Sequence, residues 1–247
     1  MWDDHRRLNQ IAAFCYALAA LGFAYAVLML VIRLPVFPLR EIAVSGAIAQ
    51  TTREQLDAIA QHELRGNFFT IDLEAARHSF EKLPWVRSAT LRRIWPDRLE
   101  VVLEEHQALA RWRDTGLVNT YGEVFAAASA AQLPVFIGPQ GSAAEMTAHY
   151  GAFRDALAGI GSKVSEVRLS GRRAWQVKLD DGQLLELGRQ DAVERLARFV
   201  AVYPRVAAQL QDKRGRIDLR YPNGFAVRRL GSRAGQGVAP GKFRGAA

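Results

Sequence analysis

Residues 83–105 have the sequence LPWVRSATLRRIWPDRLEVVLEE. Their pattern predicts two strands, over residues 86–93 and 98–105, joined by a turn at Trp95-Pro96-Asp97. Proline suits this turn because its fixed φ is preset for the first corner position. Pro84 ends the preceding helix, since the residue before a proline avoids helical backbone. We therefore expect a helix that leads directly into a β-hairpin.

Upstream of this hairpin the sequence predicts a strand and two helices. Residues 39–44 alternate apolar and polar side chains, which is typical of a short strand. Thr52 begins a segment with capping-box spacing and one apolar helical face, and Asp72 is a good N-cap for the second helix. Residues 39–107 thus have the order β-α-α-β-β, which predicts helices on one face of a three-stranded sheet.

Trp85 is expected to begin the central strand of this sheet and to pack with Phe80 beneath the second helix. If the tryptophan is fully buried, its replacement by alanine should cost about 3–5 kcal/mol of stability. A half-exposed tryptophan at the start of the strand predicts about 1 kcal/mol instead.

Residues 108–230 have the pattern of a second, strand-rich module with two helices. The first of these helices is expected from about residue 142 to residue 157. Asp191 is predicted to cap the second helix, and Pro204 is predicted to interrupt it. The chain is therefore assigned to the α+β class.

Three turn sequences predict hairpins in this module. Asp180-Asp181-Gly182 separates two alternating segments, and Gly171-Arg172-Arg173 marks the turn before them. Pro222-Asn223-Gly224 joins a strand over residues 216–221 to a final strand that begins at Phe225. No later strand is predicted to pair with that final strand, so one of its edges is expected to be open.

The 22 residues from Ile11 to Ile32 carry no charge. As a helix they would span about 33 Å, enough to cross the hydrocarbon core of a bilayer. The alternatives are a buried core helix, which usually has a polar face, and a cleaved signal peptide, whose apolar region is shorter. We expect an uncleaved signal anchor. Two nearby arginines flank each end, so the charges leave the orientation of the segment open.

The composition excludes several classes of site. The chain has 247 residues, with 33 basic and 25 acidic side chains, a net charge of +8 and one cysteine. A single cysteine excludes an intrachain disulfide, and none of the five histidines has metal-site spacing. Residues 228–247 contain five basic residues and no acidic one among many glycines and alanines. This composition indicates a disordered basic tail rather than a nucleic-acid surface.

No cluster of residues predicts catalysis. Glu104-Glu105-His106 has the composition of an acid–base cluster, but strand alternation puts the two carboxylates on opposite faces. A solvated strand end is the simpler interpretation, and Asp180-Asp181 is better explained as a turn than as a metal site. We therefore expect no enzyme activity, cofactor, metal, small-molecule substrate or nucleic-acid partner.

Short motifs follow one another in a recognisable order behind the apolar segment. They include Ser45-Gly46, Gly66-Asn67-Phe68-Phe69, Leu83-Pro84-Trp85-Val86, Trp95-Pro96, Glu105-His106, Ala110-Arg111-Trp112, Leu187-Gly188-Arg189 and Asp218-Leu219-Arg220-Tyr221. This ordered series resembles the FtsQ/DivIB family of bacterial cell-division proteins over nearly the whole chain. Two positions depart from the family pattern: Ala108 stands where proline is frequent, and Asn119 stands where aspartate is common.

The resemblance implies a single-pass, type II protein of the cell inner membrane, with its N-terminus in the cytoplasm and its folded domains in the periplasm at the division septum. The expected organisation is a cytoplasmic tail (1–10), a transmembrane helix (11–32), a linker (33–38), a POTRA domain (39–107), a β-domain (108–230) and a disordered basic tail (231–247).

The resemblance also implies an essential, non-enzymatic assembly protein of the division machinery. Such a protein bridges cytoplasmic-side and periplasmic components and recruits FtsB and FtsL, with FtsK, FtsA, FtsW, FtsI and the lipid bilayer as further expected partners. One alternative is another membrane-anchored periplasmic POTRA protein that acts as a chaperone or translocation module. A second alternative is a membrane-anchored periplasmic hydrolase, in which mutating a residue pair would abolish turnover without loosening any complex.

The final strand is the expected site for FtsB, because a partner can add a strand to an open edge through main-chain hydrogen bonds. Tyr221 offers a large rigid contact beside it, and Arg220, with Arg172, is expected to meet acidic groups of the partner. The resemblance supports all three at such a surface. The alternative is that Tyr221 is a core residue and the arginines are solvated. The candidate partner-binding residues are Arg172, Arg220, Tyr221, Asn223, Gly224, Phe225 and Val227.

Overall fold

A computed structural model describes residues 5–33, 38–207, 215–221 and 224–229 of the chain. The predicted tail over residues 231–247 and the candidate residue Asn223 lie outside the described residues. The chain divides into two compact units, Met1–Glu105 and His106–Ala247, which are described separately.

The first unit begins with helix α1, His5–Arg33. Within it, Asn9–Ile32 is long and apolar enough to cross a membrane, and no other helix among the described residues is. Large apolar side chains are exposed along this segment, including Phe14 at 65% and Phe23 at 73%. Such exposure is unfavourable in water, so the helix fits the predicted membrane anchor.

The rest of the first unit has the predicted β-α-α-β-β order. Its elements are β1 (Glu41–Gly46), α2 (Arg53–His62), α3 (Leu73–Glu81), β2 (Val86–Ile94) and β3 (Arg98–Glu105). In the three-stranded sheet, β3 lies in the middle, parallel to β1 and antiparallel to β2. The predicted caps form: Thr52 and Gln55 make a capping box, and Asp72 accepts hydrogen bonds from two backbone N–H groups at the start of α3.

The expectation for Trp85 is wrong in two respects. The residue precedes β2 rather than beginning it, and β2 lies at the edge of the sheet because β3 pairs with both other strands. Trp85 is only partly buried, whereas Phe80 of α3 is completely buried. The core beneath the helices is built instead from apolar residues of β3, with Leu99 and Val101 fully buried.

The described residues of the second unit form one nine-stranded sheet with two helices. Its strands are β4 (Ala108–Trp112), β5 (Gly116–Asn119), β6 (Val124–Phe125), β7 (Val135–Ile137), β8 (Val164–Leu169), β9 (Trp175–Leu179), β10 (Leu184–Gly188), β11 (Gly215–Asp218) and β12 (Ala226–Arg229). The order across the sheet is β12-β11-β10-β9-β8-β7-β4-β5-β6. The predicted turns at residues 171–173 and 180–182 connect β8 to β9 and β9 to β10, both antiparallel pairs.

Helices α4 (Ala143–Ala158) and α5 (Ala192–Val206) pack against each other. Helix α4 also packs against β8, and α5 against β10. Phe153 of α4 and Phe199 of α5 are buried in the core with side chains of the central strands. The sheet therefore has one face covered by the two helices.

Two predictions about α5 are wrong. Asp191 stands at the N-cap position but has a left-handed backbone (φ 52°), and its side chain makes no capping hydrogen bond. The helix also continues past Pro204 to Val206. Proline lacks the N–H that would donate to the carbonyl four residues earlier and its ring crowds that carbonyl, so Pro204 disturbs the turn before it and leaves the two residues after it free to stay helical.

Candidate partner-binding surface

Strand β12 is the outermost strand of the nine-stranded sheet within the described residues. It pairs antiparallel with β11, from Gly215 opposite Arg229 to Asp218 opposite Ala226. An outermost strand presents unpaired N–H and C=O groups on its free side. The sheet ends on the other side at β6, which has two residues, so β12 is the longer of the two edges.

The core of the second unit holds β11 and β12 in place. Strand β11 runs parallel to β10, and its Ile217 is buried. Phe225, immediately before β12, packs edge-to-face against Phe199 of α5 with ring centroids 5.6 Å apart. Val227 in the middle of β12 is 37% exposed. The core therefore anchors the start of β12, while the middle of the strand remains accessible.

Tyr221 follows β11 and is 56% exposed. Such exposure does not fit a core residue, which was the alternative interpretation. Tyrosine combines a large apolar ring with a polar hydroxyl and loses little side-chain freedom on binding. The side chain is therefore available as a contact beside the β12 edge.

Arg220 has acidic partners within the chain. Its guanidinium donates to both carboxylate oxygens of Asp218, at 2.8 and 2.5 Å, and lies 3.8 Å from Glu186. The hydrogen bond from Arg220 lowers the pKa of Asp218 and raises the pKa of Arg220 itself. Glu186 is almost completely buried and also pairs with Arg216 and with Gln176. Arg220 is thus held in an internal charge network that the sequence did not predict.

The sheet register brings the candidate residues to one end of the sheet. Trp175, which follows the turn that carries Arg172, pairs with Gly188 at the end of β10. Glu186 near that end pairs with Asp218 at the end of β11, and Asp218 pairs with Ala226 at the start of β12. Arg172, Arg220, Tyr221, Gly224 and Phe225 therefore lie at this end of the sheet, and Val227 lies one step along β12.

Gly188 lies at this end of the sheet and helps to position Arg220. The sequence analysis named it only as part of a motif. Its backbone has a positive φ of 81°, which favours glycine. A Cβ atom there would lie 2.8 Å from Nη1 of Arg195 and 3.1 Å from Cγ of Arg220. The motif Leu187-Gly188-Arg189 therefore leaves room for Arg220 to reach its acidic partners.

Glu104, Glu105 and His106 each contact a different set of residues. Glu104 accepts hydrogen bonds from Arg87 and Ser88 of β2. Glu105 accepts hydrogen bonds from three consecutive backbone N–H groups, those of residues 49, 50 and 51, at 2.7–3.2 Å. Glu105 is therefore part of the fold, and its interpretation as a solvated strand end is wrong.

His106 contacts other residues of the second unit. Its ring stacks on Phe125 with centroids 4.1 Å apart, and Nδ1 lies 2.9 Å from Nδ2 of Asn119. Asn119 is buried, and its Oδ1 accepts hydrogen bonds from the backbone N–H groups of Tyr121 and Glu123. The asparagine therefore organises the β5–β6 turn through both ends of its side-chain amide.

Two family models match the chain. The model described as Cell division protein FtsQ/DivIB, C-terminal, matches residues 110–220. The model described as POTRA domain, FtsQ-type, matches residues 37–106.

Curated relatives match over most of the chain. A protein of Nitrosospira multiformis named Cell division protein FtsQ is 46% identical over 233 residues, covering 92% of this chain and 99% of its own. Proteins of the same name from Burkholderia pseudomallei and Bordetella pertussis are 43% and 36% identical, covering 94% and 92% of this chain and 96% and 92% of their own.

Proposed function

The chain belongs to the FtsQ/DivIB family of cell-division proteins, and we propose that it is a non-enzymatic assembly protein that recruits FtsB and FtsL at the division septum. In this role it bridges cytoplasmic-side and periplasmic components of the division machinery. The observation that carries the proposal is the position of β12 at the edge of the sheet among the described strands, with Tyr221 exposed beside it.

The edge of β12 supports binding of a partner strand. An added strand satisfies the outward N–H and C=O groups through main-chain hydrogen bonds, which give affinity without demanding one particular sequence. Val227 and Tyr221 then supply side-chain contacts that distinguish one partner from another. A segment of FtsB is the proposed added strand, and FtsL joins through the same complex.

Charge supports an acidic segment in the partner. Arg172 and Arg228 are both exposed, at the end of the sheet and on β12 respectively. Arg220 is also exposed, but a carboxylate of the partner would compete with Asp218 for it. Arg172 and Arg228 are therefore the stronger electrostatic contacts for the partner. Arg220 chiefly holds this end of the sheet together through its internal acidic partners.

The membrane helix supports the proposed placement. Helix α1 is long and apolar enough to cross a membrane. In the proposal it anchors the chain in the cell inner membrane as a type II protein, with the N-terminus in the cytoplasm and the two folded units in the periplasm. From this position the chain can meet FtsK, FtsA, FtsW and FtsI as further partners, besides FtsB and FtsL.

Two truncations of the full-length chain test the role of β12. A chain that ends after Gly224 lacks β12, whereas one that ends after Leu230 keeps it and loses only the basic tail. In detergent, we expect immobilised FtsB to retain the longer truncation and the complete chain equally, and to lose the shorter one. Thermal unfolding of both truncations distinguishes loss of the edge from loss of the fold. Normal retention of a folded chain that ends at Gly224 would show that FtsB binds elsewhere.

A further inference from the structure

The short loop between α2 and α3 lies at the end of the membrane helix. The side-chain Nδ2 of Asn67 donates a hydrogen bond to the carbonyl oxygen of Ile32, at 2.7 Å. Ile32 is the last residue of the apolar segment of α1. The loop is therefore tied directly to the point at which the helix leaves the membrane.

The length of the apolar segment places this point in the interfacial layer of a bilayer. Its 24 residues extend about 36 Å as a helix, and the hydrocarbon core is about 30 Å thick. The carbonyl of Ile32 consequently lies at the height of the lipid headgroups or at the boundary with the acyl chains. Residues adjoining Asn67 lie at a similar height.

Two exposed aromatic residues adjoin Asn67. Phe69 is 45% exposed and Trp95, in the β2–β3 turn, is 67% exposed. Both contact the buried ring of Phe68 edge-to-face, with centroids 5.2 and 5.9 Å away, so the three aromatic residues form one cluster. A contiguous cluster of exposed aromatic rings, unlike a single exposed ring, is typical of a surface that binds a partner or a membrane.

Hydrogen bonds hold the backbone that carries the cluster. The side-chain Oδ1 of Asn67 accepts from the backbone N–H groups of Phe69 and Thr70, at 3.0 and 2.9 Å. Arg93 at the end of β2 donates to the carbonyl oxygen of Ile71, at 2.6 Å, which joins the loop to the strand that leads to Trp95. The backbone of the loop therefore has little conformational freedom to lose when the rings enter another environment.

We propose that Phe69 and Trp95 insert into the lipid headgroup layer and form a second contact between the first unit and the bilayer. Aromatic rings are enriched at this depth, and large apolar side chains bury favourably at the acyl boundary. The contact fixes how the three-stranded sheet is held above the membrane. The inference requires that α1 crosses the membrane, and it does not depend on partner binding.

Spin labels in the full-length chain test this contact. The single cysteine, Cys15, is replaced by alanine, and a nitroxide is attached at Phe69→Cys, Trp95→Cys or Gln50→Cys. Gln50 is the control, because it is exposed in the same unit and lies beside Glu105, at the end of the three-stranded sheet opposite the turn that carries Trp95. Each chain is reconstituted in vesicles of phosphatidylethanolamine and phosphatidylglycerol, and collision rates with oxygen and with a water-soluble nickel complex are compared.

We expect the ratio of oxygen to nickel collisions to be several-fold higher at positions 69 and 95 than at position 50. A label on Cys15 in the unsubstituted chain calibrates the ratio for the bilayer interior. Equal ratios at all three positions would overturn the proposal.

A second measurement keeps the native aromatic residues. Bromine on the lipid acyl chains should quench tryptophan emission more strongly in the unsubstituted chain than in Trp95→Phe, because bromine quenches at short range. If Trp95→Phe leaves the quenched emission unchanged, Trp95 is not at the bilayer.

Discussion

The carboxylate of Glu105 stabilises the loop that follows the neighbouring strand, β1. It lies at the end of β3 and receives the backbone N–H groups of residues 49–51, between β1 and α2. Partial burial raises the pKa of Glu105, but hydrogen bonds from Thr51, Ala49 and Gln50 outweigh this effect, and the net pKa is lowered. The ionised form is therefore the form that the fold stabilises.

Replacing Glu105 with glutamine should destabilise the first unit by about 1 kcal/mol near neutral pH, because a charged acceptor of several hydrogen bonds is lost at a partly exposed site. Since the folded pKa is lowered, this stabilisation is present above the ordinary glutamate pKa of about 4.3 and is lost as the pH falls through the lowered value. Urea unfolding at several pH values measures the difference.

Glu104→Gln is the matched control for this measurement. The Glu104 side chain is 45% exposed and pairs with the side chains of Arg87 and Ser88, so its replacement should cost at most about 0.5 kcal/mol. Equal effects of the two substitutions, or an effect of Glu105→Gln that persists unchanged at low pH, would contradict the role given to Glu105.

Tyr221→Ala should weaken FtsB binding by about 2 kcal/mol, which is roughly thirtyfold in Kd. Because the ring is 56% exposed, the melting temperature should change little. Tyr121→Ala removes an equally exposed tyrosine from the β5–β6 turn and should leave the Kd unchanged. Titration of the full-length chain with FtsB measures both. If the melting temperature falls enough to account for the weaker binding, Tyr221 stabilises the fold rather than contacting FtsB.

At the scale of the element, α3 and β2 show that a bulky residue next to a strand is not necessarily central to the core. Phe80 of α3 is fully buried, whereas Trp85 is only partly buried beside an edge strand. Phe80→Ala should therefore cost about 3–5 kcal/mol, and Trp85→Ala about 1 kcal/mol. Chemical denaturation of the two variants checks this order. A larger cost for Trp85→Ala would mean that the tryptophan supports the core through contacts outside the sheet.

Elements defined by short stretches of sequence could be predicted, and those that depend on distant partners could not. The caps at Thr52 and Asp72 and the hairpin turn at residues 180–182 follow from neighbouring residues, and the structure confirms them. The central place of β3 depends on its parallel pairing with β1, which no local pattern reveals. Asp191 resembles an ordinary cap in sequence, but its backbone is set by the connection from β10 to α5.

The residues of the candidate surface also differ in how far the sequence could predict their places. The exposed Tyr221 and the edge strand could be anticipated from their position at the end of the sheet-forming sequence. The acidic partners of Arg220 could be anticipated only in part. Asp218 is two residues away on an extended segment, whereas Glu186 comes close only because β10 and β11 pair in parallel.

For the whole molecule, the orientation in the membrane is the main expectation to test. Alkaline phosphatase fused after Leu230 should be active in cells, because long C-terminal domains are translocated largely regardless of flanking charge. A reporter that is active only in the cytoplasm, fused at the same position, should give no signal. The reverse pair of results would contradict a periplasmic location for both folded units.

The position of β12 in the chain also has a consequence for the timing of assembly. Ribosomes produce β12 after the other eleven described strands, and β12 pairs only with β11 among them. A nascent chain can therefore complete both helices and most of the nine-stranded sheet while it still lacks the edge proposed to hold FtsB. Under that mechanism, unfinished copies are excluded from the division complex by the order of translation, without a separate proofreading factor.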